Sequence, residues 1–389
     1  MGVGDSFLEL DEVQALLDKE PGAGVLSVYL DPESTHRHEA PRWQTVVNSG
    51  LRTLGQKYPD DRQLQEAIEV AGKELLGLDP VLRQRSLVYI RSLDPDWRWI
   101  ENLHGSVGNR FGWGRRAHVL PLMTYFWRQP VVGVVLISQE GFDSYTWRQG
   151  HLQEGRQWKA EWDTEHWRRF AAAAYPNPWR GQQTVTHTEH FNRRFLENVR
   201  RHLRTLLPEV EKEALAQEWD WIMVFGPVWL RDRFVAALSD QWQEAAIPVP
   251  ARHLAKVSIR ELEQAVEDIL PEWLDTLEEE LLNAVIDIKA SGGLAAIGVQ
   301  EVLDLLNVNR VHRLYLSSDL ELNGFRRPKD EILRLYEHPT RQREWVAEPN
   351  LVEEAVARAM QYSAEVVPFS GPAAKRLREM GGMAALLRY

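Results

Sequence analysis

The sequence predicts an α/β protein of three α/β domains, and three observations carry that prediction. Short β-branched runs such as "GVLSVYL", "PVVGVVLIS" and "WDWIMVF" are bounded by Asp, Gly or Pro, the pattern of buried strands. Between them lie longer stretches with apolar residues at helical spacing, so strand and helix alternate as they do in α/β folds. The length of 389 residues leaves room for roughly two to four domains of about 100–200 residues each.

The first domain is expected over 1–128. It opens with the acidic helical stretch "LELDEVQALLDKE", broken by Pro21 and Gly22. "GVLSVYLDPES" then reads as a central strand, stopped by Asp31 and Pro32. Asp31 stands at a strand end, where a catalytic acid can sit, but a turn residue before proline is the simpler reading. Helical stretches follow around Pro41 to Lys57 and Asp61 to Leu78, then the strands "RSLVYIRS" and "WRWIENL". "HVLPLMTYF" closes the domain.

The second domain is expected over 129–260, with a mixed sheet, a projecting loop at 175–188 and a basic helix. "PVVGVVLISQEGFDSYTWRQG" gives two strands joined through Gly141. The loop is punctuated by Pro176 and Pro178 and leads into "EHFNRRFLENVRRHLRTLLPEV". There Phe191, Phe195, Val199, Leu203 and Leu206 repeat at helical spacing and predict one apolar face. "WDWIMVFGP" is a strand and "WLRDRFVAALSDQW" a helix.

The third domain is expected over 261–389. A long acidic helix from Ser258, broken or kinked at Pro271, leads into it. Glu278, Glu279 and Glu280 read as its solvated face. Helix, strand, helix and strand then follow, interrupted by the polar insertion at 323–350. That insertion reads equally as an exposed binding element or a covering flap.

Composition narrows the function. With no cysteine there is no disulfide, cysteine zinc site or thiol nucleophile. The longest apolar run, Pro130 to Ser138, is far below the ~20 residues of a membrane span. The N-terminus has no basic and apolar leader, so a cytoplasmic location is expected. Gly2 and Ser6 match the myristoylation pattern, which is short enough to arise by chance. No phosphate-cradling glycine loop, dinucleotide fingerprint or nucleophile elbow occurs, and no cofactor is expected. His187, Glu189 and His190 lack metalloprotease spacing and a third ligand, so no metal is expected.

The net charge of −11 argues against a nucleic-acid coat protein. Binding depends on where charge sits, however. From Arg180 to Arg204 the sign reverses: Arg180, Arg193, Arg194, Arg200, Arg201 and Arg204 face only Glu189 and Glu197. Arginine forks bind phosphate oxygens through two hydrogen bonds. Trp179 beside them offers a face for an unpaired base. The rival reading is a helix whose arginines pair with acidic neighbours in the fold. A second basic and aromatic patch is "NRFGWGRRAH", with Arg110, Arg115 and Arg116. Its glycines permit close backbone approach to a ligand, and its rival reading is an edge hairpin with solvated arginines.

Three stretches carry a family resemblance. "VLSVYLDP" resembles an opening strand of the bacterial branch of the archaeal and eukaryotic class-1 peptide chain release factor and Pelota superfamily. "SGGLAAIGVQEVLDLLNVNRVHRLYLSSDL" resembles the start of that superfamily's third domain, and "EEAVARAMQYSAEVVPFSG" with "GGMAALLRY" its end. Across the middle the resemblance rests on order and position. It implies a three-domain, tRNA-shaped protein that enters the ribosomal A site. The first domain would face the decoding centre and the second the peptidyl transferase centre. The third would have an RNA-binding fold like that of ribosomal protein L7Ae.

In release factors of this superfamily the middle domain carries a Gly-Gly-Gln loop that places water at the peptidyl-tRNA ester. The matching positions here are Arg180, Gly181, Gln182 and Gln183. Either one glycine is replaced by arginine, or the motif is Gly-x-Gln through Gln183. An arginine at a left-handed position costs about 1 kcal/mol or more, so the resemblance leans away from an enzyme. Gly181, Gln182 and Gln183 are the candidate catalytic residues if hydrolysis occurs. The stop-codon motifs, Asn-Ile-Lys-Ser and a cysteine-containing one, are missing. The implied function is a ribosome-associated factor of hibernation or stalled-ribosome recognition that reads no stop codon. Its expected partners are the rRNA of the A site and peptidyl transferase centre, with a translational GTPase as a candidate second partner, and neither membrane nor DNA. The alternatives are a peptidyl-tRNA hydrolase acting in ribosome rescue and an L7Ae-like RNA or protein interaction module.

Overall fold

Alternating apolar runs and amphipathic stretches become strands and helices in the computed structural model, which describes residues 10–19, 24–31, 41–79, 86–137, 141–159, 185–250, 258–336 and 342–389. The chain divides into two compact units, where the sequence predicts three domains. One unit joins Met1–Arg128 with Leu274–Tyr389, and the other is Gln129–Trp273.

In the first part of the discontinuous unit, α1 (Leu10–Leu17) buries Val13, Leu16 and Leu17. Every residue of β1 (Val25–Leu30) is buried, including the polar Ser27, whose Oγ accepts from the His118 amide at 3.0 Å. Helices α2 (Pro41–Lys57) and α3 (Arg62–Leu76) follow. Asp61 caps α3 by accepting from the Leu64 amide at 3.0 Å, and its other oxygen takes the Trp113 indole N–H at 2.8 Å. Strands β2 (Ser86–Leu93), β3 (Asp96–Leu103) and β4 (Arg110–Gly114) complete an antiparallel sheet in the order β3-β2-β1-β4. Asp31 at the end of β1 is buried, takes a hydrogen bond from Ser106 Oγ, and its amide donates to Asn109 Oδ1. "HVLPLMTYF" ends in α4 (Leu120–Arg128).

The contiguous unit has a mixed sheet, as expected. Strands β5 (Val132–Ile137), β6 (Gly141–Arg148) and β7 (His151–Lys159) are antiparallel neighbours. Helix α5 (Val185–Ala216) precedes β8 (Trp221–Phe225), which pairs parallel with β5. The helix expected over "WLRDRFVAALSDQW" is two, α6 (Val228–Val235) and α7 (Asp240–Glu244). Ser239 takes an extended conformation between them and precedes α7 as its N-cap residue. The two-residue β9 (Ala246–Ile247) completes the order β7-β6-β5-β8-β9.

Helix α8 (Ile259–Ala290) runs through Pro271 without the break that was one of the two expectations there. Proline removes one backbone donor, and Ile269, Leu270 and Leu274 on either side of it are buried. Strand β10 (Ala295–Ile297), α9 (Val299–Asn307) and β11 (Val311–Ser317) come next. The polar insertion is a small antiparallel sheet of β12 (Gly324–Arg327), β13 (Ile332–Arg334) and β14 (Val346–Glu348). Helix α10 (Leu351–Gln361), β15 (Glu365–Phe369), α11 (Gly371–Glu379) and β16 (Met383–Leu387) finish a second sheet, β10-β16-β11-β15.

The two parts of the discontinuous unit share a core. Val13, Tyr29, Val88 and Leu120 pack in one cluster with Val302, Leu314, Leu351 and Val356. Glu278, expected on a solvated face, has 0 % exposure. Its carboxylate receives Trp127 Nε1 at 2.9 Å, Arg128 at 3.3 Å and the Ser370 amide at 2.7 Å. Burial raises its pKa, against the lowering effect of those donors. Among the described residues no helix is long and apolar enough to cross a membrane.

Candidate nucleic-acid interface

Helix α5 builds the basic surface from a simple division of faces. Val199, Leu203, Leu207, Val210 and Ala214 recur every three or four residues and are buried. They pack with Val135 and Ile137 of β5, Phe142 of β6, Val224 of β8 and Phe234 of α6. The spine passes through Leu207, and Leu206, expected on it, is only half-buried at its edge. Ser144 Oγ, on β6, donates at 2.9 Å to the buried Glu213 of α5. A Cβ on Gly155 of β7 would fall 2.5 Å from that carboxylate, so glycine lets the strand pass over it. Asp220, at the start of β8, accepts from the Val131 amide at 2.8 Å, and burial raises its pKa.

With its apolar spine held against the sheet, α5 turns Arg200, Arg201 and Arg204 to the exterior, and all three are exposed. Among the described residues no carboxylate lies within ion-pair distance of them. Arg193 and Arg194 stand on the same helix backbone, seven residues before Arg200 and Arg201. Seven residues are about two turns, so the five positions extend along about 16 Å of helix axis. Glu197, also exposed, is the acidic residue within this stretch. The side chains of Arg193 and Arg194, and of the expected anchors Phe191 and Phe195, lie outside the described residues. So do Trp179, Arg180, Gly181, Gln182 and Gln183, and with them the candidate hydrolytic loop. The side chains of His187, Glu189 and His190 are likewise outside; among the described residues no group of three or more His, Cys, Asp or Glu is placed to hold a metal.

The second arginine patch is arranged differently, and this corrects the expectation for two of its members. Arg115 donates to Glu354 at 2.7 and 3.3 Å and to Glu331 at 2.8 Å. Arg116 is buried, donates to the Leu17 carbonyl at 2.9 Å, and has Glu354 3.6 Å from its Nε. Both are neutralised inside the discontinuous unit and present no phosphate surface. Glu354, itself buried, is the counter-ion that sequence reasoning missed, and it is more than 200 residues away in the chain. Arg110, at the start of β4, lines a cavity instead.

The sequence model of bacterial archaeo-eukaryotic release factor family 5 matches residues 130–254, a span that contains β5 to β9 and all of α5. No curated protein matches the sequence significantly. Among solved structures, the chain is similar to Archaeoglobus fulgidus Pelota at 15% identity, with 78% of this chain and 79% of that one covered and a TM-score of 0.31. It is similar to the archaeal translation termination factor aRF1 at 16% identity, with 98% and 97% covered and a TM-score of 0.24. A third is S. cerevisiae Dom34, a translation termination-like factor that interacts with Hbs1, at 9% identity, 69% and 64% coverage and a TM-score of 0.39. Superpositions this loose fix no residue roles, and none is carried over. The family-model match therefore falls on the contiguous unit, over the segment that holds the mixed sheet β5 to β9 and helix α5.

Proposed function

We propose that this chain is a cytoplasmic, ribosome-associated translation factor that docks in the A site in the manner of a release factor or Pelota. It acts in ribosome hibernation or at stalled ribosomes and reads no stop codon. The observation that carries the reading is the exposed row of Arg200, Arg201 and Arg204, without ion-pair partners among the described residues, on a helix whose other face is locked in the core. Its place inside the release-factor family segment supports the ribosome as the source of the phosphates. Arg193 and Arg194 extend the row, and Trp179 to Gln183 form the tip that enters the large subunit. A translational GTPase is a candidate second partner in this reading, and the third segment folds as an L7Ae-like module.

Phosphate contacts release counterions, so affinity falls steeply as salt rises from about 50 to 200 mM. Co-sedimentation of the full chain with ribosomes over that range tests the proposal. The wild type is expected in the ribosome pellet at low salt. The variant with Arg193, Arg194, Arg200 and Arg201 all changed to Glu is expected in the supernatant. Equal sedimentation of the two proteins sinks the assignment.

A further inference from the structure

The discontinuous unit contains a second site-like feature that the arginine helix does not use. A cavity of about 1080 Å³ opens between α2, β4, the start of α4 and the residues leading into α10. Four kinds of group converge on it. Lys57, the last residue of α2, and Arg110, the first of β4, bring two cations, and among the described residues neither has a carboxylate within ion-pair distance. Glu353 brings a carboxylate. One of its oxygens accepts from the Val119 and Leu120 amides at 2.8 and 3.2 Å, and the other has no hydrogen bond among the described residues. His118 brings an imidazole whose Nε2 is buried and has no hydrogen-bond partner among the described residues. Phe111 and Tyr58 add aromatic surface to the lining.

These groups are held in place. The His118 amide donates to Ser27 Oγ at 3.0 Å, and the His118 carbonyl accepts from Tyr29 Oη. The ring lies against β4, where a Cβ on Gly112 would fall 2.1 Å from Nδ1. Glycine at that position makes room for the imidazole. Burial, with Lys57 nearby, lowers the His118 pKa to about 4, so the ring is neutral at physiological pH. A neutral imidazole nitrogen without a proton and a free carboxylate oxygen both accept hydrogen bonds from hydroxyl groups.

The charges decide the size of the ligand. Lys57 and Arg110 are offset by Glu321 and, in part, by Glu353, whose pKa is pushed up to about 7 by burial. A lining of such small net charge exerts little long-range pull on a polyanion, unlike the α5 row. It suits a compact molecule that carries its own anion and its own hydroxyl donors. We propose that this cavity binds a phosphorylated sugar, with the phosphate held by Lys57 and Arg110 and the sugar hydroxyls by Glu353 and His118. Free sugar phosphates and mononucleotides share that chemistry.

Isothermal titration of the full chain with ribose 5-phosphate, AMP and inorganic phosphate separates the sources. One molecule of ribose 5-phosphate or AMP per chain is expected, with inorganic phosphate at least tenfold weaker. Tighter binding of AMP assigns the cavity to nucleotides, and equal binding of both assigns it to the sugar phosphate alone. Lys57→Gln alters an exposed helix end, and at least tenfold weaker binding is expected for it and for Arg110→Gln. The proposal is overturned if neither sugar phosphate binds at millimolar concentration. It is also overturned if inorganic phosphate binds as tightly, or if Lys57→Gln, with an unchanged far-ultraviolet spectrum, binds like wild type.

Discussion

The arginines of α5 and those that follow β4 look alike in sequence and behave oppositely in the fold. Arg200, Arg201 and Arg204 are exposed, with no carboxylate in ion-pair reach among the described residues. Arg115 and Arg116 are tied to Glu354, and Arg115 also to Glu331. Arg326 of the insertion extends that network to Glu331 at 2.9 Å and Glu348 at 3.4 Å. Glu348 is itself buried, and burial followed by the neighbouring Glu354 charge raises its pKa, while Arg326 opposes the rise. The lesson is that a basic cluster is not a surface until its counter-ions have been located. One cluster closes the core between distant segments, and the other remains available to an outside anion.

The sharpest way to break this comparison is to remove the shared counter-ion. Glu354→Gln leaves Arg115 and Arg116 with a neutral partner in a buried setting, and deleting one member of such a pair costs about 3–5 kcal/mol. A urea melt of the full chain is expected to show that loss in the unfolding of the discontinuous unit. A change below about 1 kcal/mol would mean that the network is only a surface ion pair.

A middle-sized effect comes from the cavity, where Glu353 and His118 titrate against each other. Burial raises the Glu353 pKa from 4.5 to about 7, partly offset by the Leu120 and Val119 amides. Its contribution to stability is therefore full below pH 4.5 and lost as pH rises through 7. His118, lowered from 6.5 to about 4, contributes fully above pH 6.5 and loses that contribution as pH falls through 4. Across the shared window the two slopes oppose each other. Glu353→Gln should leave a stability that rises with pH, and His118→Gln one that falls, each by at most about 1.4 kcal/mol per pH unit. Thermal melts at pH steps across the window check both signs.

The smallest stability effect is expected where the binding effect is largest. Changing Arg200, Arg201 and Arg204 to Ala should move stability by no more than about 0.5 kcal/mol per site, because no internal partner is lost. The same variant should flatten the salt dependence of ribosome binding by about one unit of slope per phosphate contact removed. A destabilised variant with unchanged salt dependence would place these arginines in the same class as Arg116.

Strands β1, β5 and β8 were legible because a strand buried on both faces needs a nearly continuous apolar run, and only Ser27 of β1 interrupts theirs. The division of α5 into an apolar and a basic side was legible from spacing alone. Its phase was less so: Leu206 and Leu207 are adjacent and equally apolar, and only packing selects Leu207. The buried charges were not legible. Glu278 sits in a run of three glutamates that resembles a wet helix face, and its donors Trp127, Arg128 and Ser370 come from elsewhere in the chain. The pairing of Arg116 with Glu354 joins residues with no sequence pattern in common. The joint core of the first and last segments was hidden for the same reason, since each segment alternates strands and helices as a self-contained domain does.

That joint core has a consequence for how the protein is made. The first sheet is completed by Gly114, yet Val13, Tyr29 and Leu120 wait for partners such as Val302, Leu351 and Val356. At synthesis rates of about 5–20 residues per second, the delay from Arg128 to the C-terminus is on the order of ten seconds or more. The contiguous unit Gln129–Trp273 emerges whole within that interval. A nascent chain halted in this interval has its arginine-bearing unit synthesised in full while the apolar residues of its beginning still lack their core partners.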